Sequence, residues 1–156
     1  VDVFDGIANN NNSGDNVWET SSVRTWLNET YLTNSLSTLK GHAVQTAINT
    51  RSEYNADTWI TTQDKVFLLS EADLFGTVSD QATSDARDYT YGTSQLATSV
   101  NMRKCSNAIS TSYWLRSPRN STTKVAYCSA SSGRVISGYY WYNLGVRPAM
   151  WVNLAG

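Results

Sequence analysis

Apolar residues first recur with helical spacing after Ser21. Val23, Trp26, Leu27 and Tyr31 fall at i, i+3, i+4 and i+8, which marks one face of a helix. Ser21 or Ser22 supplies the cap for its free N–H groups. Arg24 and Asn28 share a second, more polar face, and Leu32, Leu36 and Leu39 predict further helix as far as Gly41. Ala43, Gln45 and Ala47 alternate as a short extended piece. The run Lys65-Val66-Phe67-Leu68-Leu69-Ser70 predicts a buried strand, its last residue capping a short helix through Glu71, Ala72, Asp73 and Leu74. A weak helical stretch covers Asp80 to Asp88, and Tyr89 to Ser112 is loop-like. Trp114 to Ser117 starts a strand that Pro118 stops, because proline donates no ladder hydrogen bond. Val125–Cys128 and Arg134–Ile136 predict a hairpin joined by Ser129 to Gly133, and Gly145 to Val152 a closing strand. The expected fold class is α+β: two N-terminal helices on a small, twisted, mostly antiparallel sheet. No repeat or linker divides the chain, so residues 1–156 are expected to form one domain.

The stretch from about 113 to 150 combines two kinds of residue. Its ends, Tyr113-Trp114-Leu115-Arg116-Ser117-Pro118 and Gly145-Val146-Arg147-Pro148-Ala149-Met150, are bulky, apolar or geometrically special. Its middle, Arg119 to Asn143, is Ser, Thr, Asn, Tyr and Gly with single apolar residues set into it. Such a middle buries little surface of its own. Tyrosine and tryptophan offer large contact area at low entropy cost, and Ser, Gly and Asn offer adaptable hydrogen bonding, so the segment suits a binding face.

Charge and composition narrow the classes. A net charge of -1 argues against a nucleic-acid partner held by electrostatics, and no apolar run reaches membrane-spanning length. Ser, Thr and Asn make up about a third of the chain, which suits a β-rich, loop-rich surface protein. The sole histidine, His42, weighs against acid–base or metal chemistry built on several imidazoles. Cys105 and Cys128 are too far apart for a CxxC motif; they read either as a disulfide in an exported protein or as two buried apolar side chains. The chain opens Val1-Asp2-Val3-Phe4-Asp5, with neither an initiator Met nor a signal-peptide pattern, as expected where an upstream segment has been removed. The Asn9–Asn16 stretch is oxygen-rich, but an EF-hand needs Glu where Thr20 stands, so it reads as a solvated turn. No metal site and no cofactor is expected.

Three stretches carry a resemblance. They are Trp18-Glu19-Thr20-Ser21-Ser22-Val23-Arg24-Thr25-Trp26-Leu27-Asn28, Asp64-Lys65-Val66-Phe67-Leu68-Leu69-Ser70, and Trp114-Leu115-Arg116-Ser117-Pro118 through Gly145-Val146-Arg147-Pro148-Ala149. Together they resemble an uncharacterised domain family of bacterial and phage surface proteins, similar to the formylglycine-generating-enzyme branch of the C-type lectin fold. The ending also resembles the variable proteins of diversity-generating retroelements, whose C-terminal cassette is rewritten at template adenines. The resemblance implies a C-type lectin-like fold, a location on the bacterial cell surface, outside the cell or on a phage particle, and a protein or glycan ligand. Relatives have one or two strands before the Trp18 motif, where this chain has only Val1 to Ile7.

The resemblance gives the scaffold role to Trp114, Leu115, Arg116, Gly145, Val146, Arg147, Pro148 and Ala149. Arg147 is expected in a buried hydrogen-bond network, since its five donors need partners; Trp26 and Trp114 are core candidates. The display role falls on Asn120, Ser121, Thr123, Tyr127, Ser129, Ser131, Arg134, Ser137, Tyr139, Tyr140, Tyr142 and Asn143. Two or three side chains of Tyr139-Tyr140-Trp141-Tyr142 are expected outside, so Tyr140→Ala should cost little stability and Trp114→Ala about 3–5 kcal/mol. A formylglycine-type oxidase is disfavoured because its copper-binding cysteines are separated by four residues, and Cys105 and Cys128 are much too far apart in sequence to match. His42 lacks a nucleophile elbow, and no phosphate or dinucleotide fingerprint is present. The acidic residues read as surface charges. The Ca²⁺-binding lectin triplets Glu-Pro-Asn and Trp-Asn-Asp are absent, while sugar stacking on exposed tyrosines stays open. The expected function is non-catalytic ligand display by a diversified cassette. A fixed-specificity carbohydrate or cell-wall adhesin is the first rival, and an enzyme of unknown chemistry the second.

Overall fold

The helical face after Ser21 forms as one interrupted run. The computed structural model describes residues 3–5, 14–54, 56, 58–75, 110–119, 122–130 and 135–154. Helix α1 (Ser22–Trp26) starts where the Ser21 hydroxyl accepts from the Arg24 N–H at 3.3 Å. Asp5 accepts from the Ser22 N–H at 2.8 Å, so a carboxylate also serves the first turn. A π-helical turn (Leu27–Tyr31) then leads into the short α2 (Leu32–Asn34). The wider turn changes which residue faces inward. Val23, Leu27 and Leu32 are buried, while Tyr31 is half-buried and packs on Trp26 at 5.1 Å between ring centroids. Trp26 therefore lies at the margin of the core.

The second N-terminal helix expected through Leu36 and Leu39 is absent. Residues 35–42 make turns, closed by Lys40 N–H on the Leu36 carbonyl and Ala43 N–H on the Leu39 carbonyl. Leu39 is exposed, and Ser35, Ser37 and Thr38 favour turn conformations over helix interiors.

Strands β1 (Thr46–Arg51) and β2 (Trp59–Asp64) form an antiparallel hairpin, with Thr46 opposite Asp64 and Arg51 opposite Trp59. Its inward side carries Ile48, Thr50, Thr62 and Asp64, all buried. Next, Val66, Phe67 and Leu68 are buried as expected, but the segment pairs as a single bridge between Phe67 and Ala149. Helix α3 (Glu71–Phe75) has a reciprocal cap: the Asp73 N–H donates to the Ser70 hydroxyl at 3.0 Å, and the Ser70 N–H to Asp73 Oδ2 at 2.9 Å.

Strands β3 (Tyr113–Pro118), β4 (Lys124–Cys128) and β5 (Val135–Tyr139) make an antiparallel sheet in the order β3-β4-β5. Alternation along β3 feeds two cores. Trp114 and Val125 pack with Phe4, Trp18, Leu27 and Ile48, while Tyr113, Leu115, Ala126, Cys128 and Val135 pack with Leu74. A sheet covered on both faces explains why every residue of β3 is buried. Pro118 ends β3, yet the Arg119 N–H still donates to the Lys124 carbonyl, so pairing runs one residue past the proline.

The closing strand expected over Gly145–Val152 is replaced by three separate bridges: Gly145 with Tyr113, Ala149 with Phe67 and Val152 with Ala43. Pro148 lacks the N–H a continuous ladder needs there. The segment touches β3 through Gly145 and the stretches flanking the β1–β2 hairpin through Ala149 and Val152, without forming a continuous ladder with either sheet. Among the described residues the fold is thus α+β with two antiparallel sheets. The helix expected over Asp80–Asp88, most of the loop that follows, and Cys105 lie outside the described residues; Cys128 is a free, buried thiol.

Asn28 joins the helical run to the segment after β2. Its Oδ1 accepts from the Lys65 and Val66 N–H groups at 2.9 and 3.1 Å, and its Nδ2 donates to the Val66 and Arg24 carbonyls at 2.8 and 3.1 Å. Asn28→Ala leaves partly buried backbone groups without these partners. Urea denaturation should show a loss of about 2–3 kcal/mol, and a loss under about 0.5 kcal/mol would mean that water replaces the side chain.

Candidate ligand-binding face

Residues Asp64 to Asp73 carry the buried polar network beside β3. The three sequence stretches quoted above meet there. Buried Asp64 accepts from Trp18 Nε1 at 3.0 Å, Thr62 Oγ1 at 2.6 Å and Arg24 Nε at 2.8 Å. At the other end, Arg116 is fully buried in β3. It donates to Asp73 Oδ2 at 2.9 Å, the Leu68 carbonyl at 2.8 Å and Thr50 Oγ1 at 3.2 Å. Arg119 pairs with buried Glu71 at 2.8 Å, and the Glu71 N–H donates to Ser117 Oγ at 3.0 Å. Asp64, Glu71 and Asp73 are therefore interior groups, not the surface charges expected from their polar contexts. Each sits where a cation or several donors offset its desolvation.

The deep guanidinium network expected at Arg147 belongs to Arg116. Arg147 is half-buried; it donates to the Tyr113 hydroxyl at 3.2 Å, and its guanidinium lies over that ring at 5.4 Å. Burial raises the Tyr113 phenol's pKa strongly, the Cys128 thiol raises it further, and Arg147 acts in the opposite direction. The neutral phenol is the form the fold prefers. Its stabilisation is complete below the unfolded value of 10.0 and is lost as pH rises beyond it toward the higher folded value. Denaturation midpoints followed upward from pH 8 should fall above about pH 10, and Tyr113→Phe should flatten that fall. An unchanged alkaline limb in the variant would place the effect elsewhere.

Above these anchors lie β4, β5 and the turn after β5. The register puts Tyr127, Ile136 and Gly138 on one face of the sheet, and Lys124, Ser137 and Tyr139 on the other. The turn closes with the Tyr142 N–H on the Tyr139 carbonyl at 2.9 Å, and the Tyr140 N–H donates to the Thr123 carbonyl at 3.0 Å. Tyr139 stacks on Trp141 at 4.4 Å and 18°, while Tyr142 meets Tyr139 edge-on at 5.5 Å. The Lys124 ammonium sits 5.2 Å from the Tyr139 ring centroid. The three rings and the ammonium pack against one another as one patch.

The expected display residues divide in the structure. Ser137, Tyr142 and Asn143 are exposed; Thr123, Tyr127 and Tyr139 are half-buried. Tyr140 is 1% exposed and belongs to the core with Trp114, so its display role is corrected. Its carbonyl also accepts from the Phe4 and Asp5 N–H groups, which draws the residue inward. Ser129, 7% exposed, is buried as well. Of the four consecutive aromatics, only Tyr142 is well exposed, at 41%. Asn120, Ser121, Ser131 and Arg134 lie outside the described residues. Sequence reasoning missed Gly138 and exposed Ile136 on the Tyr127 side of the sheet and Lys124 on the side of Ser137 and Tyr139; strand alternation through Lys124–Cys128 and Val135–Tyr139 was the available signal. Burial raises the Tyr127 phenol's pKa, and Tyr142 adds to the rise. Among the described residues no group of three His, Cys, Asp or Glu could hold a metal ion, and no helix is long and apolar enough to cross a membrane.

The chain belongs to a family described as a domain of unknown function (DUF6273), whose model matches residues 2–154. No curated protein and no solved structure matches it.

Proposed function

We propose that this family member is a non-catalytic ligand-recognition domain of C-type lectin-like fold whose cassette, about residues 113–150, is diversified by a retroelement. One observation carries the reading: the cassette separates anchors from variable positions. All of Tyr113–Pro118 is buried, whereas Ser137 is exposed on β5 and Tyr142 and Asn143 are exposed on the turn after it, which the Tyr142 N–H closes on the Tyr139 carbonyl. A fixed frame with tolerant surface positions lets many sequences share one backbone. The ligand is a protein or glycan at a cell or phage surface, and the domain neither grips nucleic acid nor inserts in a membrane. The mutual stacking of Tyr139, Trp141 and Tyr142 favours a second reading, a fixed-specificity saccharide or cell-wall adhesin, because rings that depend on one another vary less freely.

Two measurements test this. The DNA flanking the gene should hold a reverse transcriptase and a near-identical template of the Arg119–Asn143 region, with mismatches confined to adenines. Absence of the template transfers the reading to the adhesin, with a glycan array as its assay. Independently, a library randomised at Thr123, Ser137 and Asn143, tyrosines retained, should yield mostly folded members and binders to a purified target such as lysozyme. A library that mostly unfolds, or that folds and yields no binder, overturns the display reading.

A further inference from the structure

Gly138 is buried near the end of β5, opposite Val125 in the ladder. Tyr127 stands on the same face, diagonal to it across the strand pair, within reach of a large side chain. A Cβ built on Gly138 would lie 2.9 Å from Tyr127 Cε1, 3.0 Å from its Cδ1 and 3.3 Å from Tyr142 Cδ2. Both rings therefore rest on the bare backbone of one residue, and a methyl group there would occupy their seat. Tyr127 has little room to yield, because its ring meets Trp114 edge-on at 6.0 Å, and Trp114 meets Phe4 edge-on at 5.9 Å. The result is an aromatic series running outward from the core: Phe4, Trp114, Tyr127, then exposed Tyr142.

We propose that Gly138 is a positioning residue for the ligand face, seating the Tyr127 and Tyr142 rings together so that the exposed ring is held through Trp114 by the core. The proposal rests on the recognition role given above. Glycine would ordinarily weaken a strand, through added backbone freedom and the missing side chain. A ring laid across it from the neighbouring strand covers the exposed backbone and restores packing. Rigidity at Tyr142 reduces the ordering cost of binding, which is where a contact residue on a turn otherwise loses affinity.

The test uses the full chain and the lysozyme binders from the library in which Tyr127 and Tyr142 are retained. Gly138→Ala is introduced into several binders, with thermal denaturation as the folding control. The expected result is folded protein whose Kd is weaker by at least about tenfold, the size of a hot-spot loss. Ring resonances of Tyr127 and Tyr142, assigned by tyrosine-labelled NMR, should shift together, and the Tyr127 phenol should titrate closer to its ordinary value. Unchanged Kd and unchanged ring resonances overturn the proposal. Should Gly138→Ala fail to fold, Tyr127→Leu keeps the glycine and removes the middle ring. It should then move the Tyr142 resonances and weaken binding, and leaving both unaltered is again the overturning result. A library without binders defeats the recognition reading alone; the ring resonances of Gly138→Ala in the parent chain still decide whether the glycine seats them.

Discussion

Arg116→Ala is expected to cost about 3–5 kcal/mol, or to leave no folded protein, when stability is measured by urea denaturation with circular dichroism. The guanidinium is fully buried and reaches three parts of the molecule: Asp73 in α3, the Leu68 carbonyl before it, and Thr50 with the Asn49 carbonyl in β1. Truncation to alanine removes the cation from beside the buried Asp73 carboxylate, whose desolvation the ion pair had offset, while the Ser70 N–H still donates to it. It also opens a space the length of the arginine stem beside Leu68 and Thr50. Arg116→Lys should lose most of the same stability, since an ammonium cannot reproduce the fork of a guanidinium. Arg24→Ala provides the contrast. Its pair with Asp64 is as short, at 2.8 Å, but the arginine side chain is 25% exposed, and Asp64 keeps Trp18 and Thr62 as donors. Water can enter there, and the loss should be about 1 kcal/mol, in the range of exposed pairs. Comparable losses at Arg116 and Arg24 would contradict the distinction between an interior hub and a rim contact.

The sequence made the parts visible where burial and periodicity coincide. Val23 and Leu27, the Ser21 and Ser70 caps, β3 and the β4–β5 hairpin all follow from apolar spacing with capping or turn residues at the ends. The β1–β2 hairpin failed that test for a physical reason: its inward positions include Thr50, Thr62 and Asp64. Polar side chains satisfied by a network look like surface residues in a sequence, and only the partner, here Trp18, Arg24 or Arg116, reveals them as interior. The π turn hid in the same way, because one inserted residue exchanges Tyr31 for Leu32 on the buried face. Gly145–Val152 carries strand-like residues yet spends its pairing capacity on three separate bridges, which no local pattern encodes. At the candidate face, composition identified the segment but could not assign sides. The register of β5 separates Ser137 and Tyr139 from Ile136 and Gly138, and the turn after it sends Tyr140 inward.

That inward turn changes which aromatic should matter for stability. Trp114→Ala and Tyr140→Ala are each expected to cost about 3–5 kcal/mol, whereas Tyr142→Ala should stay within about 0.5–1 kcal/mol. Trp114 is fully buried and touches Phe4 and Tyr127 edge-on, so its removal opens a cavity in the larger core. Tyr140 is 1% exposed in the same core and packs edge-on against Trp141 at 4.8 Å. Its side chain is thus required beneath the very turn that carries Tyr142. Tyr142 loses only contacts with Tyr139, Trp141 and the Gly138 seat, from a ring already 41% open to water. The three variants, compared by urea denaturation under one set of conditions, separate support from display within three residues of sequence. A small loss at Tyr140 would return it to the surface and undo the division of the turn. A loss at Tyr142 as large as at Trp114 would make the exposed ring part of the frame, leaving the cassette no free position at its most prominent aromatic.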